Sequence, residues 1–180
     1  MSDLYVSWSD YHQKIEQLAV QIYQSGWKFN QIVCLARGGL RVGDILSRIY
    51  QQPLAILATS SYSDCGKQQR GQLIFSNHLT MASKELGSQI LLVDDLVDSG
   101  VTLRETIPWL HSNSESPIVE IRTAVIWYKD CSVFTPDYYV DYLLDNPWIH
   151  QPFEGYEFIN PAELVEKTNS KPGEILVPKP

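Results

Sequence analysis

Four apolar residues running directly into two aspartates, Ile90-Leu91-Leu92-Val93-Asp94-Asp95, constrain this chain more than any other feature. A short apolar run of this kind reads as a buried strand. Two ionised carboxylates leaving its carboxyl end are costly to bury unpartnered, and a metal ion or a polyhydroxyl ligand would relieve that cost. The chain continues Leu96-Val97-Asp98-Ser99-Gly100-Val101-Thr102 and then takes a helical pattern over about 102–112. The free N–H groups of a helix start, two hydroxyls and a glycine that permits close approach make a cradle for a phosphate.

The rest of the chain repeats this alternation. Tyr11, Ile15, Leu18, Ala19 and Ile22 recur at helical spacing, with Ser7 and Asp10 as a capping signal and Gly26 as a stop. Ile32 to Ala36 reads as a buried strand ending in Arg37-Gly38-Gly39, and a second helix follows with Leu46, Ile49 and Tyr50 on one face. Leu54 to Ala58 reads as a strand, residues 59–72 as a polar mobile loop, and Leu73 to Leu79 as a short strand. Ile118 to Trp127 and Tyr138 to Leu144 are the last expected strands. Strands alternating with helices predict an α/β domain whose mostly parallel central sheet is flanked by helices. Ligands in such sheets bind at the carboxyl ends of strands, where both glycine-containing loops fall. The expected organisation is one domain over 1–165 and a loosely ordered tail over 166–180.

Composition narrows the partners. A net charge of −7 argues against nucleic acid, and no apolar run reaches the length of a transmembrane segment. The N-terminus has no secretory pattern. Three widely spaced cysteines, Cys34, Cys65 and Cys131, suit neither zinc nor a disulfide framework, so a cytoplasmic setting is expected. His12, His78 and His111 show no metal-ligand spacing.

The stretch LLVDDLVDSGVTL resembles the phosphoribosyl-pyrophosphate signature of the type I phosphoribosyltransferases. The resemblance implies their fold, with a small hood and a mobile loop. It also implies Mg²⁺ as cofactor, held with the ribose hydroxyls by Asp94 and Asp95, two oxygen ligands that suit a hard cation. Asp98, Ser99, Gly100, Val101 and Thr102 would hold the 5′-phosphate, with Asp98 doubling as the catalytic base or the anchor for a base nitrogen. Arg37, Gly38 and Gly39 would bind pyrophosphate around a non-proline cis peptide between Ala36 and Arg37. By the same resemblance Ser60-Ser61-Tyr62 begins the hood and Arg70 contacts pyrophosphate, whereas Lys67 is read as solvated.

Towards the end, AVIWYKD and YYVDYLLDNPWIHQPFE resemble the xanthine–guanine branch. That implies three base-binding residues: Lys129 for a purine 6-oxo group, Trp148 for stacking and the Ile149 backbone for the base edge. Lysine carries donors only, which favours an oxo over an amino group. Val101 and His150 depart from the pattern, since relatives often carry glycine and an acidic residue there. The implied reaction is phosphoribosyl transfer to guanine, xanthine or hypoxanthine in purine salvage, by a homodimer or homotetramer. A non-catalytic phosphoribosyl-pyrophosphate sensor, a transferase for a non-purine base and a phosphatase using Asp94 or Asp95 stay open as alternatives.

Overall fold

The computed structural model describes residues 3–61 and 73–170. The chain divides into two compact units, Lys14–Leu144 and Met1–Gln13 with Asp145–Pro180. Arg70, Lys67, Tyr62 and Cys65, and the tail beyond residue 170, lie outside the described residues.

The larger unit is built on eight strands. These are β2 (Gln31–Ala36), β3 (Leu54–Ser61), β4 (Leu73–Phe75), β5 (Thr80–Met81), β6 (Gln89–Val93), β7 (Leu96–Val97), β8 (Glu120–Lys129) and β9 (Tyr138–Leu143). Their order is β4-β3-β2-β6-β8-β7, with β5 also on β3 and β9 also on β8. The β2, β3, β6, β7, β8 and β9 pairings are parallel, and β4 and β5 run antiparallel to β3. A parallel sheet covered on both faces needs strands apolar throughout, and β2 and β6 meet this: Ile32, Val33, Cys34 and Ile90 to Val93 are fully buried. The register sets Cys34 against Val93 and Val93 against Ala124, so the ends of β2, β6 and β8 lie side by side.

Helix α1 (Trp8–Gln24) buries Tyr11, Ile15, Leu18, Ala19 and Ile22, the predicted stripe. Ser7 Oγ accepts the Asp10 N–H while the Asp10 carboxylate accepts the Ser7 N–H, a reciprocal cap. Gly26 ends the segment at φ 74°. Helix α2 (Gly39–Tyr50) packs Gly43 against Cys34, where an added Cβ would stand 2.6 Å from the Cys34 Cβ. Cys34 is a packing residue, and burial pushes its thiol up to about 12. Leu46 is buried but Ile49 is half exposed, so the inward face of α2 runs through Val42, Gly43 and Leu46 and does not include Ile49. Helix α3 spans Val101–Asn113.

Other boundaries shift for identifiable reasons. The polar segment expected as loop from 59 begins as strand: β3 continues to Ser61 and pairs Thr59 with Phe75 and Ser61 with Leu73. Backbone pairing on an edge hairpin does not require apolar side chains. Of the strand expected over Leu73 to Leu79 only Leu73–Phe75 forms, as β4, and β5 follows just beyond the expected end, both laid on β3. Strand β8 starts at Glu120 and extends to Lys129, which is its last residue, and β9 stops at Leu143.

In the smaller unit β1 (Asp3–Tyr5) pairs in parallel with β10 (Trp148–His150). A 3₁₀ turn over Glu154–Phe158 and helix α4 (Pro161–Ser170) follow. No helix among the described residues is long and apolar enough to cross a membrane.

Candidate active site

The parallel register brings the Arg37 loop and the acidic pair together at the carboxyl ends of two adjacent strands, β2 and β6. The Ala36–Arg37 peptide is cis. Arg37 and Gly38 line a cavity of about 250 Å³ together with Asp94, Asp95 and Thr102. Both glycines stand where a side chain would be crowded. A Cβ on Gly38 would stand 2.3 Å from Asp95 Oδ1, and one on Gly39 would stand 2.6 Å from the Val93 carbonyl oxygen.

Asp94 sits at the floor. Its carboxylate accepts the Asp95 N–H at 3.0 Å and also the Gly39 N–H. Burial first, and the neighbouring Asp95 charge second, still push its carboxyl well above the usual range. The backbone donors therefore offset only part of the cost of ionising this group. The donor chemistry fits a hard divalent cation, since oxygen ligands and a surplus of negative charge are both present. Asp94 and Asp95 are the residues that would hold Mg²⁺.

A second cavity of about 140 Å³ shares Asp94, Asp95 and Thr102 with the first and is otherwise walled by residues 96–100 and Leu103, while Val101 of the expected phosphate loop does not line it. Here Gly100 takes φ 78° immediately before α3, a left-handed conformation that favours glycine. Space demands it as well, because an added Cβ would lie 2.3 Å from Ser132 Oγ. The turn after β8 is pressed onto this loop, with the Val133 N–H donating to the Ser99 carbonyl at 3.0 Å. Inside α3 the Thr106 hydroxyl donates to the Thr102 carbonyl at 2.7 Å.

That close packing carries Lys129 to Asp98. Lys129 Nζ lies 3.3 Å from Asp98 Oδ1, with the lysine side chain 8% and the aspartate 62% exposed. The Cys131 thiol approaches the same carboxylate at 3.7 Å. Lys129 is thus buried and paired, where a strand-end lysine is ordinarily solvated.

In the smaller unit Trp148 is 61% exposed, so it is not a core residue, while the Ile149 side chain is buried. His150 stacks on Tyr5 with ring centroids 4.3 Å apart and sets Nε2 3.5 Å from Asp3 Oδ2. Its ring is engaged by the strand beside it.

Sequence reasoning missed Thr59 and Leu73, both of which line the larger cavity. Thr59 falls in the polar stretch that reads as loop, and neither residue belongs to a motif.

The phosphoribosyl transferase domain model matches residues 7–157. A xanthine-guanine phosphoribosyltransferase of Idiomarina loihiensis is 29% identical over 156 residues, 84% of this chain and 87% of that protein. Among solved structures, a purine phosphoribosyltransferase from Pyrococcus horikoshii is similar with TM-score 0.70 and 27% identity, over 89% of this chain and 99% of its own. A Helicobacter pylori xanthine-guanine-hypoxanthine phosphoribosyltransferase shares the fold at TM-score 0.67 and 22% identity, over 94% and 99% of the two chains. With the family match running over most of the sequence, from residue 7 to residue 157, the chain belongs to the phosphoribosyl transferase domain family.

Proposed function

We propose that this chain transfers the phosphoribosyl group of phosphoribosyl pyrophosphate to a 6-oxopurine, releasing pyrophosphate and a nucleoside 5′-monophosphate. The observation that carries the reading is the Lys129–Asp98 pair at the edge of the 98–102 loop. A donor-only ammonium beside a carboxylate suits a ring that offers an oxo acceptor and a nitrogen-bound proton together. The similarity to purine enzymes of Idiomarina and Pyrococcus points the same way.

In this reading the N–H groups and hydroxyls of residues 99–102 fix the 5′-phosphate, and Arg37 with the Gly38-Gly39 backbone binds the pyrophosphate. Bound between Asp94 and Asp95, Mg²⁺ would supply charge neutralisation for the leaving pyrophosphate. Asp98 accepts or anchors the base proton, and Lys129 donates to the oxo group. Stacking by Trp148, a contact of order 1–3 kcal/mol, and the roles of the Ile149 backbone and Arg70 are those that the resemblance implies. Purine salvage in the cytoplasm, as a homodimer or homotetramer, completes the proposal.

The test is pyrophosphate release from phosphoribosyl pyrophosphate and Mg²⁺ with guanine, xanthine, hypoxanthine, adenine and uracil supplied singly. Release that requires a 6-oxopurine supports the reading. Binding of phosphoribosyl pyrophosphate without base-dependent release would replace it with a sensor.

A further inference from the structure

The larger cavity has one wall that no motif supplies. Thr59 lines it together with Arg37, Gly38, Asp94 and Asp95. Its place follows from the sheet. Ala58 pairs with Ala36 at the end of β2, so Thr59 is the first β3 residue beyond that pairing, level with the start of the Arg37 turn. There β3 passes to its other partner, and Thr59 pairs with Phe75. Phe75 in turn stacks on Trp109 of α3, with ring centroids 5.5 Å apart. The threonine is therefore set by strand pairing, and the ring of its strand partner rests on the helix that the 98–102 loop opens. Among the described residues no hydrogen bond to its hydroxyl is formed. The other polar side chains on the cavity wall are Asp94, Asp95, Arg37 and Thr102, and Thr102 opens the helix after the acidic turn, so Thr59 supplies the neutral donor of the β3 wall, beside the Arg37 turn.

We propose that Thr59 is a further binding residue of the pyrophosphate subsite, its hydroxyl donating to a non-bridging oxygen of the pyrophosphate group. The proposal rests on the reading of this cavity as a phosphoribosyl pyrophosphate site. It assigns Thr59 to the pyrophosphate and not to the 5′-phosphate, because the smaller cavity along the 98–102 loop does not include it.

The test titrates the full chain, with Mg²⁺ present, against three probes: phosphoribosyl pyrophosphate, inorganic pyrophosphate and guanosine 5′-monophosphate. Thr59→Val keeps the shape and the strand preference and removes only the hydroxyl, and Thr59→Ser keeps the hydroxyl. Thr59→Val is expected to weaken the first two probes by at least about tenfold, the effect of one hydrogen bond to an anion, and to leave the monophosphate unchanged. Thr59→Ser is expected to stay within about twofold of wild type for all three. Wild-type affinity of Thr59→Val for pyrophosphate overturns the proposal, and so does an equal loss for all three probes. A wild-type chain that binds neither pyrophosphate nor phosphoribosyl pyrophosphate overturns the cavity reading itself, an outcome distinct from failure of the Thr59 contact alone.

Discussion

Lys129 Nζ rests 3.3 Å from Asp98 Oδ1 across a gap of thirty-one positions in sequence, and the lysine is nearly buried. Removing the carboxylate would leave a nearly buried ammonium without this partner, whereas Asp98 is 62% exposed and stays solvated when the lysine is removed. Lys129→Met is expected to raise the KM for the base by at least about tenfold and to leave the KM for phosphoribosyl pyrophosphate within about twofold. Asp98→Asn keeps the shape and removes the proton acceptor, and kcat should fall by about 10²-fold or more. Steady-state kinetics with each substrate varied in turn separates the two effects.

Asp94→Asn should make the free protein more stable and the enzyme inactive. The folded carboxyl titrates above its ordinary range because it is buried beside Asp95. Between the unfolded and the folded pKa the native state binds the proton more tightly, so this group's contribution falls as pH rises through that window. The stability advantage of the variant should therefore grow from acid towards neutral pH and level off above the folded pKa. A Tm higher by at least about 2–4 °C at neutral pH is expected, the shift of ~1 kcal/mol in a chain of this size. Thermal melts across pH, with and without Mg²⁺ and pyrophosphate, check the sign, because that addition should stabilise wild type and not the variant.

Gly38→Ala tests the approach of the Arg37 turn to Asp95. The new methyl would start 2.3 Å from a carboxylate oxygen, so the carboxylate or the turn must move. A fall of at least about tenfold in affinity for pyrophosphate is expected, with Tm lowered by no more than a few degrees, about 1 kcal/mol. Calorimetric titration beside a thermal melt distinguishes this from unfolding.

Gly100→Ala should be the most disruptive single methyl in the 98–102 loop. It meets a left-handed φ of 78° and Ser132 Oγ at 2.3 Å together. The backbone conformation alone costs about 1–2 kcal/mol for an L side chain, and the clash adds to it. Denaturant unfolding should show a lower midpoint at an unchanged slope, and guanosine 5′-monophosphate binding should weaken.

Much of the site was legible because it is local. Residues 90–102 encode a buried strand, a carboxylate pair and a helix start within thirteen consecutive positions, and the structure folds them in that order as β6, the acidic turn and α3. The Arg37-Gly38-Gly39 turn was legible for the same reason, as an apolar run stopped by glycines. The α1 stripe declared its burial by spacing alone.

What the tertiary structure decided is the company these segments keep. Periodicity reports that a residue is buried, not which strand lies beside it, and a three-residue strand has no periodicity to report. The pairing of β1 with β10, and with it the stack of Tyr5 on His150, could not be read from either segment. The continuation of β3 through Thr59 depends on main-chain bonds to β4, which any side chain can accompany. The sequence by itself determined the chemistry of the acidic turn, the helix start and the glycine turn, because each needs only its neighbours along the chain. The parallel register of β2 against β6, and the packing of the turn after β8 onto Gly100, determined that these pieces share cavities and that Lys129 reaches Asp98, because those contacts exist only once distant strands are side by side.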